Sequence, residues 1–149
     1  MLAAAVISLS ALAQTPKDVK YVFTEASDLN LIGKIHEDTP NPYHRVDTVK
    51  YKGFTKGENR QVRCPAGLAV LFKTNSTTIS VKTDFGWEYN AVNTMPIAYR
   101  GYDLYIKENG KWIYAASNAT KPGEKSENNL VLIKDMDGRE KECMLYLPI

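Results

Sequence analysis

The sequence lacks the residue patterns that most enzyme classes require. It has no GxSxG and no Gly-Asp-Ser block, and its only histidines, His36 and His44, lie early in the chain without an obvious serine partner. Nucleophilic hydrolysis needs a serine on a tight turn with a histidine within hydrogen-bonding reach, so we expect no catalytic residues here. The P-loop and GxGxxG patterns are also absent, so we expect no cofactor.

Signals for metal or nucleic acid binding are sparse as well. Four groups that suit zinc or manganese fall within twelve residues: His36, Asp38, His44 and Asp47. Their spacing matches no known ligand pattern, so a polar loop around Pro40 and Pro42 is favoured and no metal is expected.

The sequence has 19 Lys and Arg and 17 Asp and Glu, for a net charge of +2, and the basic residues are scattered singly along the chain. Nucleic acid is therefore not expected as a partner, because its phosphates need a basic stripe or patch.

The sequence has only two cysteines, Cys64 and Cys143, and neither belongs to a CxxC pair. In an oxidising compartment they would close a loop of about 80 residues, which stabilises a fold by about 4 kcal/mol in the chain-entropy model. The alternative is two small buried hydrophobic residues on separate strands. Both interpretations remain open at this point.

An apolar segment opens the chain and predicts export. Residues 2–13 are almost wholly apolar, and Ala11-Leu12-Ala13 before Gln14 has the form that signal peptidase cuts. No Lys or Arg precedes the segment, so we interpret residues 1–13 as a truncated signal peptide, with a frayed N-terminus as the alternative. About 12 apolar residues are too few to span a bilayer, so we expect a secreted or periplasmic protein without a permanent membrane anchor.

Beyond residue 21, apolar residues alternate in short runs and show no sustained helical period, which predicts an all-β fold. Residues 68–73 are apolar on both faces at their start, which is typical of a central strand. Residues 79–82 follow a polar turn and are expected to pair with that strand. Asn109-Gly110 predicts a type I′ hairpin, and Asp137-Gly138 a second hairpin across residues 130–147. Eight or so strands favour a jelly-roll-like, two-sheet antiparallel β-sandwich.

Two segments carry candidate functional residues. Tyr43, His44 and Arg45 follow a proline-stiffened loop and combine groups that stack on and hydrogen-bond a sugar or an ester. The alternative is a strand start in which Arg45 forms a structural ion pair. Asp103 is expected on the face opposite Leu104; if that face is buried, the carboxylate needs a partner, for which Arg45 and Arg100 are the natural candidates.

A loop aromatic adds a third candidate. Trp87 lies in a polar, irregular segment, Phe85-Gly86-Trp87-Glu88-Tyr89. A tryptophan in such a loop either contacts a ligand or plugs the end of the sandwich, and the sequence favours neither.

Gly101-Tyr102-Asp103-Leu104-Tyr105 resembles the Gly-x-Asp-Leu-Tyr motif of a domain found at the N-terminus of SGNH-type esterases, largely from Bacteroidetes. Four further segments match in the family's order: residues 31–34, 43–45, 66–76 and 145–148. The resemblance implies a β-sandwich accessory domain over residues 21–149, followed by an SGNH hydrolase domain that carries the serine, histidine and aspartate. It also implies an exported protein that deacylates a carbohydrate or a similar ester. Tyr43, Arg45 and Asp103 match recurrent positions of the family.

Three hypotheses follow. The first is a non-catalytic accessory domain whose partner is the C-terminal SGNH hydrolase domain of the same polypeptide, with a saccharide ester as substrate. The second is a free-standing carbohydrate-binding sandwich that stacks sugars on Tyr43, Trp87, Tyr89 and Tyr99. The third is a surface subunit completed by a partner's strand, because the apolar run 145–149 ends the sequence inside an expected strand. The residues expected to contact substrate or the neighbouring domain are Tyr43, His44, Arg45, Trp87, Asp103 and Tyr105.

Overall fold

The computed structural model describes residues 20–87, 92–123 and 129–149. The predicted signal peptide and the predicted stacking residue Tyr89 lie outside these ranges. Within them, a 3-10 helix (Ala26–Asp28), two α-helices and seven strands follow one another: β1 (Asn30–Ile32), α1 (Lys56–Gln61), β2 (Ala69–Thr74), β3 (Ile79–Val81), α2 (Pro96–Arg100), β4 (Gly101–Glu108), β5 (Lys111–Ala119), β6 (Leu130–Ile133) and β7 (Lys141–Tyr146). None of the helices in these ranges is long and apolar enough to cross a membrane.

The strands form two antiparallel sheets. One has five strands in the order β1-β2-β7-β4-β5, and the other pairs β3 with β6. The predicted mostly-β architecture with two antiparallel sheets is confirmed at this level. Two short helices were not predicted; α1 begins with a capping box in which Thr55 and Glu58 satisfy each other's backbone amides.

The hairpin predicted at Asn109-Gly110 is confirmed. It joins β4 to β5, and Glu108 pairs with Lys111 across the turn. Asn109 has a φ of 50° and Gly110 a φ of 78°, the two positive values that a type I′ turn requires. The central position predicted for β2 is also confirmed, because β1 and β7 occupy its two edges.

The other two predicted hairpins are wrong. β3 does not pair with β2, although only a short turn separates them, and β6 does not pair with β7 across Asp137-Gly138. Instead β3 and β6 pair with each other in the second sheet, while β7 lies between β2 and β4. The alternation of apolar residues shows which face of a strand is buried but not which strand lies beside it. The prediction that strands adjacent in sequence also pair was therefore not supported by the pattern itself.

The main core cluster contains residues from both sheets. Its buried members come from β3, β4, β6 and β7: Ile79, Tyr102, Leu104, Leu132, Cys143 and Leu145. Side chains alternate along a strand, so the residues between these core members on β4 and β7 lie on the opposite face of the five-stranded sheet. We call the core side of this sheet the inner face and the other side the outer face.

Candidate functional site

The predicted site residues fall on two separate surfaces. Tyr43, His44 and Trp87 line an open groove of about 1420 Å³ on the inner side of the five-stranded sheet. Asp103 and Tyr105 lie on β4 between inward-facing core residues, and therefore on the outer face. The structure thus brings three of the six residues together and places two others on the opposite side of the sheet.

The groove combines aromatic rings with cations. It is lined by residues 20–26, by β3, by residues 83–87 and by inward side chains of β2, β4 and β7. Arg60 of α1 lies over the Trp87 ring, 5.3 Å from its centroid, and Lys82 lies 5.2 Å from the centroid of Phe23. Trp87 itself is exposed. Rings and positive groups of this kind can stack on and hydrogen-bond a polar ligand such as a saccharide.

Tyr43 holds the start of the described chain. Its hydroxyl donates a hydrogen bond to the Glu25 carboxylate and accepts one from the backbone N–H of Ser27, at 3.1 Å. Burial, together with Glu25, raises the pKa of Tyr43 to about 12, so the phenol remains protonated and keeps donating at ordinary pH. Tyr43 thereby positions the 3-10 helix beside the groove.

The surroundings of His44 favour the neutral form of its imidazole. Burial lowers its pKa, and the nearby cations of Arg63 and Lys34 lower the pKa further. In the described part of the chain, neither His44 nor His36 exchanges a side-chain hydrogen bond with a serine hydroxyl. In the same part, no three His, Cys, Asp or Glu residues are grouped closely enough to hold a metal ion.

Arg45 is bound to main-chain carbonyls. Its Nε donates to the carbonyl of Cys64 at 2.9 Å and its Nη2 to the carbonyl of Gln61 at 2.6 Å. These carbonyls lie at and just after the C-terminal end of α1, where a cation also complements the helix dipole. The sequence also suggested that Arg45 forms an ion pair at the start of a strand. In the structure Arg45 lies in a turn region, and its guanidinium contacts carbonyl groups. Arg45 thus anchors the helix whose Arg60 contacts Trp87.

The inward residues of the Gly-x-Asp-Leu-Tyr segment are explained by packing. Leu104 is fully buried, and the Tyr102 hydroxyl hydrogen-bonds with the Thr83 hydroxyl. Gly101 follows α2 directly, and a Cβ there would lie 2.0 Å from the carbonyl oxygen of Ile97. Only glycine allows β4 to start so close to the helix.

The outward residues of the same segment are not explained by packing. Asp103 is exposed, with Tyr146 beside it on β7 and Ser117 on β5. An arginine partner for Asp103 was expected only if its face were buried; the face is open to solvent, and Arg45 and Arg100 contact other groups. Arg100 donates to the Thr120 hydroxyl at 2.9 Å and lies over the Phe85 ring.

Tyr105 lies at the centre of three tyrosines on the outer face. Its ring contacts the rings of Tyr114 and Tyr146 edge to face, with centroids 5.9 Å apart in both pairs. Sequence reasoning missed Tyr114 and Tyr146. The Asn-Gly turn contained enough information to place Tyr114 across from Tyr105, whereas Tyr146 depends on the pairing of β4 with β7.

Both cysteines are free thiols in the structure, so it contains no disulfide between them. Cys143 is fully buried in the core, where burial raises the pKa of its thiol to about 11. Cys64 follows α1, and its thiol contacts the carbonyl of Arg60. The alternative of two small buried residues on separate strands holds for Cys143, which is on β7, but not for Cys64, which is half-buried and lies outside the strands.

Comparison with known proteins identifies relatives. The model of the GxDLY family, described as the N-terminus of SGNH-hydrolase-type esterases, matches residues 19–149. A GDSL-like lipase from Bacteroides ovatus is similar in structure, with a TM-score of 0.70 and 36% sequence identity. The alignment covers 83% of this chain and 35% of the lipase, so this chain corresponds to about a third of that protein. No curated protein matches the chain.

Proposed function

This chain belongs to the GxDLY family, the N-terminal domain of SGNH-hydrolase-type esterases, and we propose that it is the non-catalytic accessory domain of a secreted esterase. The family places a hydrolase domain after it in the same polypeptide. On this proposal the nucleophilic serine and its histidine and aspartate lie in that following domain, and residues 21–149 assist it.

One observation carries the proposal: the family match spans residues 19–149, which include every residue that the structure describes. The geometry of the motif supports it. Gly101 and the inward residues of the motif build the junction between α2 and β4, and the outward residues remain available for contacts. We also propose that the two sheets form a jelly-roll-like sandwich, since the core cluster draws on strands of both.

Export and substrate class form the second half of the proposal. The apolar segment at residues 2–13 with its Ala-Leu-Ala end supports secretion or a periplasmic location. The aromatic and cationic groove supports a saccharide ester as substrate, because sugar rings stack on tyrosine and tryptophan while their hydroxyls accept hydrogen bonds from arginine.

The test is to read the gene beyond codon 149 and to assay the complete polypeptide on acetylated saccharides. A Gly-Asp-Ser block downstream, with ester hydrolysis lost on replacing its serine by alanine, is the expected result. As a matched control, Ser80→Ala in β3 of this domain should leave kcat unchanged. A complete polypeptide without a hydrolase domain, or with activity that depends on Ser80, would refute the proposal.

The groove also supports an alternative, a free-standing carbohydrate-binding module. Its stacking residues would be Tyr43, Trp87 and Tyr99, all of which line the groove. Calorimetric titration with oligosaccharides would then show binding that Trp87→Ala abolishes, whereas Trp112→Ala on the opposite side of the sheet would leave it intact. The accessory-domain proposal prevails if a hydrolase domain follows in the same gene.

A further inference from the structure

We infer that the outer face of the five-stranded sheet is the surface against which the hydrolase domain of the same polypeptide packs. The relevant surface, which we call the tyrosine face, consists of Asp103, Tyr105, Tyr114 and Tyr146, with Trp112 at its edge. The inference rests on the proposed function, because that proposal supplies the hydrolase domain that would cover this surface.

The first argument is the exposure of aromatic rings on the outer face. Tyr114 is 56% exposed, Tyr146 39% and Trp112 37%. The opposite face is covered by β3 and β6, which share the core cluster with β4 and β7. Clustered and exposed aromatic rings on a sheet face are typical of protein interfaces, where tyrosine and tryptophan are enriched.

The second argument is the charge of the face. The Asp103 carboxylate is exposed and makes no hydrogen bond or ion pair with any residue that the structure describes. The two lysines on this face form ion pairs with Glu142 and not with Asp103: Lys107 at 2.9 Å and Lys73 at 3.8 Å. A fitting partner therefore supplies an arginine, a lysine or N–H donors opposite Asp103.

The third argument is position. Tyr146 is three residues from Ile149, so a chain that continues past Ile149 leaves within about 10 Å of chain length from the face. The backbone N–H of Ile149 donates to the carbonyl of Ala98 in α2, next to the start of β4. Asp103 is the third residue of β4 and lies at this same end of the sheet. A continuing chain thus leaves from the edge of the face that the hydrolase domain is inferred to cover.

A second copy of this chain fits the face less well. Two such faces in contact would bring together two Asp103 carboxylates, while the lysines on each face are already bound to Glu142. Like charges in one contact without a counter-ion are destabilising. A different surface, one that carries an unengaged cation, is the better complement.

The test uses thiol labelling of the complete polypeptide. Ser117→Cys places a thiol on the face next to Asp103, and Ser27→Cys makes the same substitution at an exposed position outside it. Both variants are treated with iodoacetamide under native conditions, and modification at each site is followed by mass spectrometry. We expect the thiol at position 117 to react about tenfold more slowly than the thiol at position 27, because reaction requires the domains to separate.

A charge reversal sharpens the test. Asp103→Lys in the Ser117→Cys background should remove most of the protection, whereas Glu140→Lys, an equal charge change at an exposed site before β7, should not. Equal labelling rates at positions 117 and 27 would overturn the inference, as would protection that disappears on dilution and so belongs to a second copy. If the polypeptide hydrolyses esters while the rates are equal, the docking inference alone fails. If it has no esterase activity and no hydrolase domain, the proposed function fails.

Discussion

Replacing Gly101 with alanine should destabilise the fold by about 3 kcal/mol, the upper end of the usual cost of overpacking. The new Cβ would lie 2.0 Å from the carbonyl oxygen of Ile97 and 3.0 Å from its carbon, and both atoms are backbone. A contact under 3.0 Å is essentially never seen for a real Cβ, so α2 or β4 must move by an ångström or more. That movement reaches the core directly, because Tyr102 and Leu104 follow in the same strand and are buried.

The measurement is urea unfolding of the chain followed by circular dichroism, with thermal unfolding beside it. For a chain of this size a loss of 3 kcal/mol lowers Tm by about 6–12 °C. Gly57→Ala in α1 is the matched control, because its Cβ would meet nothing within 4 Å. The control should be neutral or stabilising by up to about 1 kcal/mol, as alanine is the better helix former. A Gly101→Ala variant within about 0.5 kcal/mol of the original chain would refute the close-approach explanation of the motif glycine.

Three further substitutions test the groove and the core. Tyr43→Phe removes the hydrogen bonds to Glu25 and Ser27 and should cost about 1 kcal/mol, with faster amide hydrogen exchange at Ser27. Arg45→Met frees the carbonyls at the end of α1 and should cost about 1–3 kcal/mol, with faster amide exchange along α1. The Cys143 thiol has a pKa of about 11 in the fold against an ordinary 9.0, so the folded chain holds its proton longer than the unfolded chain does. The contribution of Cys143 to stability should therefore be constant below pH 9 and fall between pH 9 and 11, by about 3 kcal/mol at most, with a shallower fall in stability in Cys143→Ala.

Each of these predictions has a result that would contradict it. Unchanged exchange at Ser27 in Tyr43→Phe would show that the hydroxyl does not hold the segment. Unchanged exchange along α1 in Arg45→Met would contradict the anchoring role of Arg45. Part of the loss of stability at alkaline pH should remain in Cys143→Ala, because burial also raises the pKa of Tyr102. Identical pH profiles for that variant and the original chain would contradict the assignment to Cys143.

Local features of the fold could be predicted from the sequence, and long-range ones could not. Asn109-Gly110 determines its own hairpin, since the turn needs only two residues with positive φ. The pairing of β2 with β7 joins residues about 70 positions apart, and no local pattern encodes such a partner. The helix α1 had a readable signal, the capping box formed by Thr55 and Glu58, which was overlooked because the helix has only six residues.

In the candidate site, too, local features could be predicted from the sequence and long-range ones could not. Alternation correctly placed Asp103 on the face opposite Leu104, because that depends only on the period of a strand. Its solvent exposure and its position beside Tyr146 depend on which strand pairs with β4, and this information lies outside the segment. The contacts of Arg45 with carbonyls of α1 were hidden for the same reason, since they require knowing where a helix about 16 residues away ends.

The most direct test of the account is ester hydrolysis by the purified 149-residue chain beside the complete polypeptide, on the same acetylated saccharides and model esters. We predict turnover only by the complete polypeptide, because in the described residues neither histidine is placed to activate a serine. Turnover by the 149-residue chain that is lost when one of its own serines is replaced by alanine would contradict the account.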